Sequence, residues 1–345
     1  MRPLILIFIF ALTLLVMDCT RTNSNTSDSN TSEPGTGEQS TGTLRLVRTI
    51  PLPNVEGRID HLDVDVKGQR LFVAALGNNT VEVVDLQKGT RIQSLRGFNE
   101  PQGIRYLPVS NTLVVANGGD GAISYWDAAS FKQVKAVRAS GDADNVRYDA
   151  AHNRIYVGYG SGALAVLDEK GERLGDIPLG GHPESFQLDS TSGRAYINVP
   201  ARQEIAVADL NKMTVLAHLP VQVASANYPM ALDGEHRRLF VMTRKPAHLL
   251  VYDTETGKLL STLKAGADSD DVFYDAARRL YASFGEGTVM VYEQQDADHY
   301  QVIATMATAA GARTAFFSPD LRQFYVAVPH RNNPTAEIRV YQVEQ

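Results

Sequence analysis

The chain has a single cysteine, Cys19, so no disulfide within the chain can brace its fold. With one cysteine it also lacks a CxxCH haem-attachment site and any cysteine cluster for structural zinc, and no histidine spacing matches a helical zinc motif. One tryptophan is too few for a tryptophan-rich quinoprotein blade, which leaves a redox role without support. There is no excess of positive charge either. A net charge of −6 gives none of the basic footprint that nucleic-acid binding needs. No nucleophile-elbow motif is visible. The apolar run from Pro3 to Met17 falls short of the roughly 20 residues that span a bilayer.

That run, behind Arg2, has the length of a signal-peptide core and predicts export. Cys19 follows it at the position where a bacterial lipoprotein signal places its lipidated residue; Val16 suits that resemblance, whereas Met17 and Asp18 depart from its small residues. Residues 1–19 are therefore read as a signal peptide or lipoprotein signal. Thr20 to Thr43 is almost entirely Ser, Thr, Asn, Gly, Glu and Asp, the composition of a disordered tether. Such a tether would reach roughly 25–30 Å. The expected location is extracytoplasmic, periplasmic or at the cell surface, with membrane contact only through the N-terminal anchor.

From residue 44 to residue 345 the chain repeats itself. A basic or polar residue, two apolar or aromatic residues and usually Val recur in seven copies, beginning at Arg70, Thr112, Arg154, Arg194, Arg238, Arg279 and Gln323. Their spacing of about 40–44 residues is the period of a four-stranded propeller blade. An aspartate precedes most copies (Asp65, Asp149, Asp189, Asp233, Asp275), and alternating runs ending at Asp85, Asp127, Asp168, Asp209, Asp253 and Glu293 follow them. These read as short strands between Gly and Asn turns. A fourth strand follows each copy except the last, and one unassigned strand, Leu44 to Ile50, precedes the first. Pairing it with the C-terminal strand IRVYQV closes the ring and removes exposed sheet edges. The expected fold is thus all-β, a seven-bladed β-propeller, and a β-sandwich has no place for the displaced strand.

The motif RLFVA at Arg70 to Ala74, with VEVVD downstream, resembles the YVTN-type, YncE-like bacterial propellers, and the resemblance extends over residues 44–345. It implies the fold and is silent on activity. Only Trp126–Asp127 matches the WD dipeptide of the WD40-like superfamily, without its partnering Gly-His.

In a propeller the residues just ahead of each innermost strand converge on one mouth of the central channel, where a ligand is expected. In register these are Asp60, Gln102, Asp144, Glu184, Tyr228, Asp270 and Arg313, followed by His61, Gly103, Asn145, Ser185, Pro229, Asp271 and Thr314. Two positions earlier stand Arg58, Asp142, His182 and Asp268. Blades 3 and 6 are near copies, with Asp142, Asp144, Asn145 and Tyr148 recurring as Asp268, Asp270, Asp271 and Tyr274. So many carboxylates raise one another's pKa values unless a divalent cation, Arg58 and Arg313 or a cationic ligand intervenes. The competing explanation is that such aspartates merely cap Asx-turns. The hairpins add Arg202, Arg244, Lys245, His330 and Arg331, which can equally be a solvated rim.

Two functions follow as expectations. One is a monomeric binding module that takes a small polar ligand or a protein partner through this carboxylate-rich funnel. The other is a hydrolase of gluconolactonase type, with calcium or magnesium on Asp144, Asn145, Glu184 and Asp270 and with Asp144 or His182 as general base.

Overall fold

The computed structural model describes residues 42–344 except Ser161 and Asn332. The signal segment with Cys19, and the tether up to residue 41, lie outside the described residues.

Seven four-stranded antiparallel sheets form the blades of a β-propeller. Each blade runs outward from an inner strand A through B and C to D. The seven repeat motifs are the B strands: Arg70–Ala75, Thr112–Asn117, Arg154–Tyr159, Arg194–Val199, Arg238–Lys245, Arg279–Phe284 and Gln323–Val328. The alternating runs are the C strands, as the pairing of Arg70 with Asp85 and of Arg154 with Asp168 illustrates. The strand Leu44–Leu52 pairs antiparallel with Ala336–Val343 and supplies strand D of blade 7. Ring closure by that strand is as expected from the repeat count.

The period-two alternation of the B and C strands explains how blades stick to one another. Side chains of one strand leave by both faces, so each blade contributes to two interfaces. Phe72 joins Val115 and Trp126 of blade 2, whereas its neighbours Leu71 and Val73 join Tyr325 and Ile338 of blade 7. The buried apolar residues fall into seven clusters, one between each adjacent pair of blades. The core is therefore a ring of interfaces, which leaves the axis free for polar groups.

The recurring aspartates have a structural task. At the end of strand C, Asp85 accepts the Lys88 amide at 2.8 Å, Asp127 that of Ser130 at 2.7 Å and Asp209 that of Lys212 at 2.8 Å. At the end of strand A, Asp65 accepts the Gly68 amide at 2.8 Å and Asp189 that of Ser192 at 3.1 Å. These are Asx-turn caps, repeated because the blade repeats.

Candidate functional site

The positions ahead of strand A converge because of a shared β-bulge. In blade 3 the pairing jumps from Ala143–Tyr159 to Val146–Val157, so Asp144 and Asn145 together oppose one residue. The same jump occurs at Gln102 and Gly103, at Tyr228 and Pro229, and at Asp270. In blade 1 the amide of Asp60 and the carbonyl of His61 both bond Ala74, and in blade 4 Glu184 and Ser185 both bond Asn198. A bulge re-aims side chains at the end of a strand, and here it does so around the channel. Blade 2 comes close at this level: a Cβ on Gly103 would lie 2.1 Å from the Asp144 carbonyl oxygen, which only glycine avoids.

The structure brings the acidic residues together and compensates them unevenly. Around blades 5, 6, 7 and 1 the carboxylates of Asp60, Asp268 and Asp270 each meet a guanidinium. Asp270 contacts Arg244 at 2.6 Å and Arg313 at 3.0 Å, Asp268 contacts Arg313 at 3.1 Å and Arg244 at 3.4 Å, and Asp60 meets Arg58 at 2.5 Å. Arg244 also lies over the Tyr228 ring, 4.1 Å from its centroid. Arg244 is thus part of this mouth. Its hairpin companions Arg202 and His330 are engaged elsewhere, with Glu204 and Glu56, each at 2.7 Å.

In blades 3 and 4 Asp142, Asp144 and Glu184 have no arginine in ion-pair contact among the described residues; Arg58 and Arg244 act on Asp144 and Glu184 only at longer range. Asp142 receives the Gln102 amide at 3.2 Å and lies 3.8 Å from His182, whose Nδ1 is 2.6 Å from the Gly160 carbonyl. Asp144 is buried, and its Oδ1 has no hydrogen-bond partner, with His61 Nε2 nearest among its ion contacts at 3.8 Å. Asn145 Oδ1 is likewise buried and without a partner. No hydrogen bond to a main-chain amide engages Asp142, Asp144, Asp268 or Asp270 among the described residues, so these four are not turn caps. The Asx-turn explanation holds for the repeat aspartates and fails at the mouth.

Electrostatics follow the burial. Burial, together with Asp60 and Glu184, lifts Asp144 well above the usual carboxylate range. Burial pushes Glu184 up to about 7, opposed by His182 and reinforced by Asp270. Asp60 and Asp270 are also raised by burial, against the pull of Arg313. His61 sits below this layer with Nδ1 3.7 Å from Asp271 and Nε2 3.7 Å from Asp60; burial and Arg147 lower it to about 4, so its imidazole is neutral at physiological pH.

Several expected residues also stitch inner strands to each other. Asp271 Oδ2 accepts the amide of Ala315 in blade 7 at 2.8 Å, and Thr314 donates to the carbonyl of Ile59 in blade 1 at 3.2 Å. Asp63 and Gln187 do the same between blades 1 and 2 and blades 4 and 5.

Both Asp270 oxygens are held by arginines, and among the described residues no group of three or more His, Cys, Asp or Glu is placed to hold a metal ion.

A second layer escaped the sequence reading. Three residues beyond the ring stand Asp63, Arg105, Arg147, Gln187, Ala231, Phe273 and Phe316, and all but Ala231 line a cavity of about 730 Å³. It opens among the A–B turns, at Lys67, Pro108 and Asp320, which is the end of the channel away from the acidic mouth. The signal was a fixed offset of three, hidden because the bulge breaks the simple alternation.

Fold and channel define a seven-bladed β-propeller with a polar axial channel. No family profile and no curated protein matches the sequence. The fold is shared by a chain in the crystal structure of the mitotic checkpoint complex, at a TM-score of 0.74 and 13% identity, covering 94% of this chain and 99% of that one.

Proposed function

We propose that the protein is a non-enzymatic binding module whose acidic mouth takes a small polar ligand bearing a positive charge, seated against Asp142, Asp144 and Glu184. One observation carries this reading: Asp268 and Asp270 of blade 6 are paired with Arg244 and Arg313, while their counterparts Asp142 and Asp144 of blade 3, with Glu184 beside them, have no arginine in ion-pair contact among the described residues. A buried carboxylate with a vacant oxygen favours an incoming ammonium or guanidinium, because charge-assisted hydrogen bonds then repay its desolvation. The propeller fold suits a ligand- or protein-interaction module, and the repeat motif supports membership of the YVTN-type, YncE-like propellers. The N-terminal segment supports export and tethering through Cys19.

Calorimetric titration of the full chain with putrescine, choline and arginine methyl ester, with acetate as the anionic control, tests the reading. At least one cation is expected to bind, with affinity falling about tenfold in Asp144→Asn, the loss of one charge-assisted contact. Because Glu184 titrates at about 7, cation affinity is expected to rise between about pH 6 and pH 8, and the rise to vanish in Glu184→Gln. Binding that is indifferent to both substitutions, or confined to acetate, overturns it.

A further inference from the structure

The cavity at the far end of the channel is chemically unlike the acidic mouth. Arg105 and Arg147 stand on its wall, adjacent in the ring of blades, while Phe273 and Phe316 line it from blades 6 and 7, their rings edge to face with centroids 6.1 Å apart.

Neither guanidinium is satisfied by the protein. Arg105 has one carboxylate within reach, Asp63 at 3.5 Å, and that carboxylate already accepts the amides of Val64 at 2.9 Å and Tyr106 at 2.6 Å. The Nε of Arg105 is buried without a hydrogen-bond partner. Arg147 makes no ion pair among the described residues; it donates to the Val146 carbonyl at 3.1 Å and to Ser185 Oγ at 3.4 Å, with its guanidinium over the Phe186 ring. Burial and the neighbouring Arg105 lower Arg147 to about 10, still ionised at neutral pH. Burial at the same time raises Asp63 and Asp271, the carboxylates nearest the pair.

We propose that this cavity is a second, separate ligand site, which takes a small organic anion with its carboxylate, sulfonate or phosphate head on Arg105 and Arg147 and a flat apolar body against Phe273 and Phe316. Two adjacent guanidiniums present forked donors that match an oxyanion, and they lose their mutual repulsion when one binds. An inorganic anion would leave the aromatic wall unused, and a long polyanion would find Asp320 beside Lys67 at the opening, which is no basic track. The volume lies in the range of drug-sized ligand pockets, roughly 300–1,000 Å³.

The test uses fluorescence titration of the full chain with 8-anilino-1-naphthalenesulfonate and its uncharged relative N-phenyl-1-naphthylamine, with benzoate and inorganic phosphate as competitors. The sulfonate is expected to bind at one site, at least about tenfold more tightly than the neutral dye, and to weaken by about tenfold in Arg105→Gln, in Arg147→Gln and in Phe316→Ala. Lys88→Gln, on an exposed turn, should change nothing. If Arg147→Gln fails to fold, Arg105→Gln with an unaltered circular dichroism spectrum decides alone. Equal affinity for the neutral dye, or sulfonate binding unchanged in Arg105→Gln, overturns the proposal. Displacement by phosphate as strong as by benzoate would also overturn it, since the apolar wall would then contribute nothing. None of these residues contacts the proposed cation, so the two sites stand or fall separately.

Discussion

The two ends of the channel occupy positions three residues apart in every blade, yet one gathers carboxylates and the other gathers guanidiniums and phenyl rings. The backbone treats both alike: seven inner strands deliver seven side chains to each level. What differs is how each charge is answered. At the acidic mouth, arginines from blades 1, 5 and 7 neutralise half of the ring and leave Asp142, Asp144 and Glu184 exposed to one another. At the other end Arg105 shares Asp63 with two main-chain amides, and Arg147 makes no ion pair among the described residues. A pseudo-symmetric scaffold fixes places, and the departures from symmetry create unpaired charge. Blades 3 and 6 make the point most directly. Asp142 and Asp268 share left-handed backbone, with φ of 34° and 59°, and each is followed two residues on by an aspartate, Asp144 or Asp270; beyond the exchange of Asn145 for Asp271, the arginines of the neighbouring blades separate a neutralised pair from an open one.

The largest effect is expected where compensation is removed. The double variant Arg244→Gln, Arg313→Gln makes blade 6 resemble blade 3 and should cost about 3 kcal/mol near pH 8, as breaking largely buried pairs does. Thermal melts should show the loss shrinking as the pH falls and Asp270 takes up a proton. A loss independent of pH would mean that the arginines act by packing alone.

A smaller effect of opposite sign is expected at the open half. The Glu184 carboxyl is raised from 4.5 to about 7 in the folded chain. The folded state therefore holds that proton more tightly than the unfolded chain, a contribution fully present below pH 4.5 and lost as the pH rises through 7. Glu184→Gln should accordingly stabilise the chain near pH 8 by about 2 kcal/mol, after allowance for partial exposure, and by progressively less toward acid. The measurement is the difference in melting temperature across that range. A parent-like stability at both ends would remove Glu184 from the unpaired set.

The smallest effect belongs to the turns. Asp189→Ala removes the acceptor for the Thr191 and Ser192 amides and should cost about 1 kcal/mol without altering ligand binding at either end. A change in cation affinity there would blur the division between capping aspartates and channel aspartates.

That division measures how far the chain could be read unaided. The repeat positions were legible because a blade must place its turn caps and its alternating strands at fixed intervals. Arg70, Thr112, Arg154, Arg194, Arg238, Arg279 and Gln323 all begin B strands for that reason. Asp60, Asp144, Glu184 and Asp270 were legible as one ring because they share an offset from those strands. Arg244 was legible only as one of five basic residues near the hairpins; that it reaches Asp270, while Arg202 and His330 turn to Glu204 and Glu56, was decided by the folded blade. Arg105, Arg147, Phe273 and Phe316 were missed, because a bulge shifts the alternation that would have aligned them.

Local pattern by itself determined the number of blades, their strand order and the closing strand, since hydrophobic period, turn chemistry and repeat length all act over a few neighbouring residues. Which acids meet an arginine, and which end of the axis holds a cavity, was settled only in three dimensions. Those outcomes depend on distances between blades, and Coulomb energies and burial are set by such distances rather than by order along the chain.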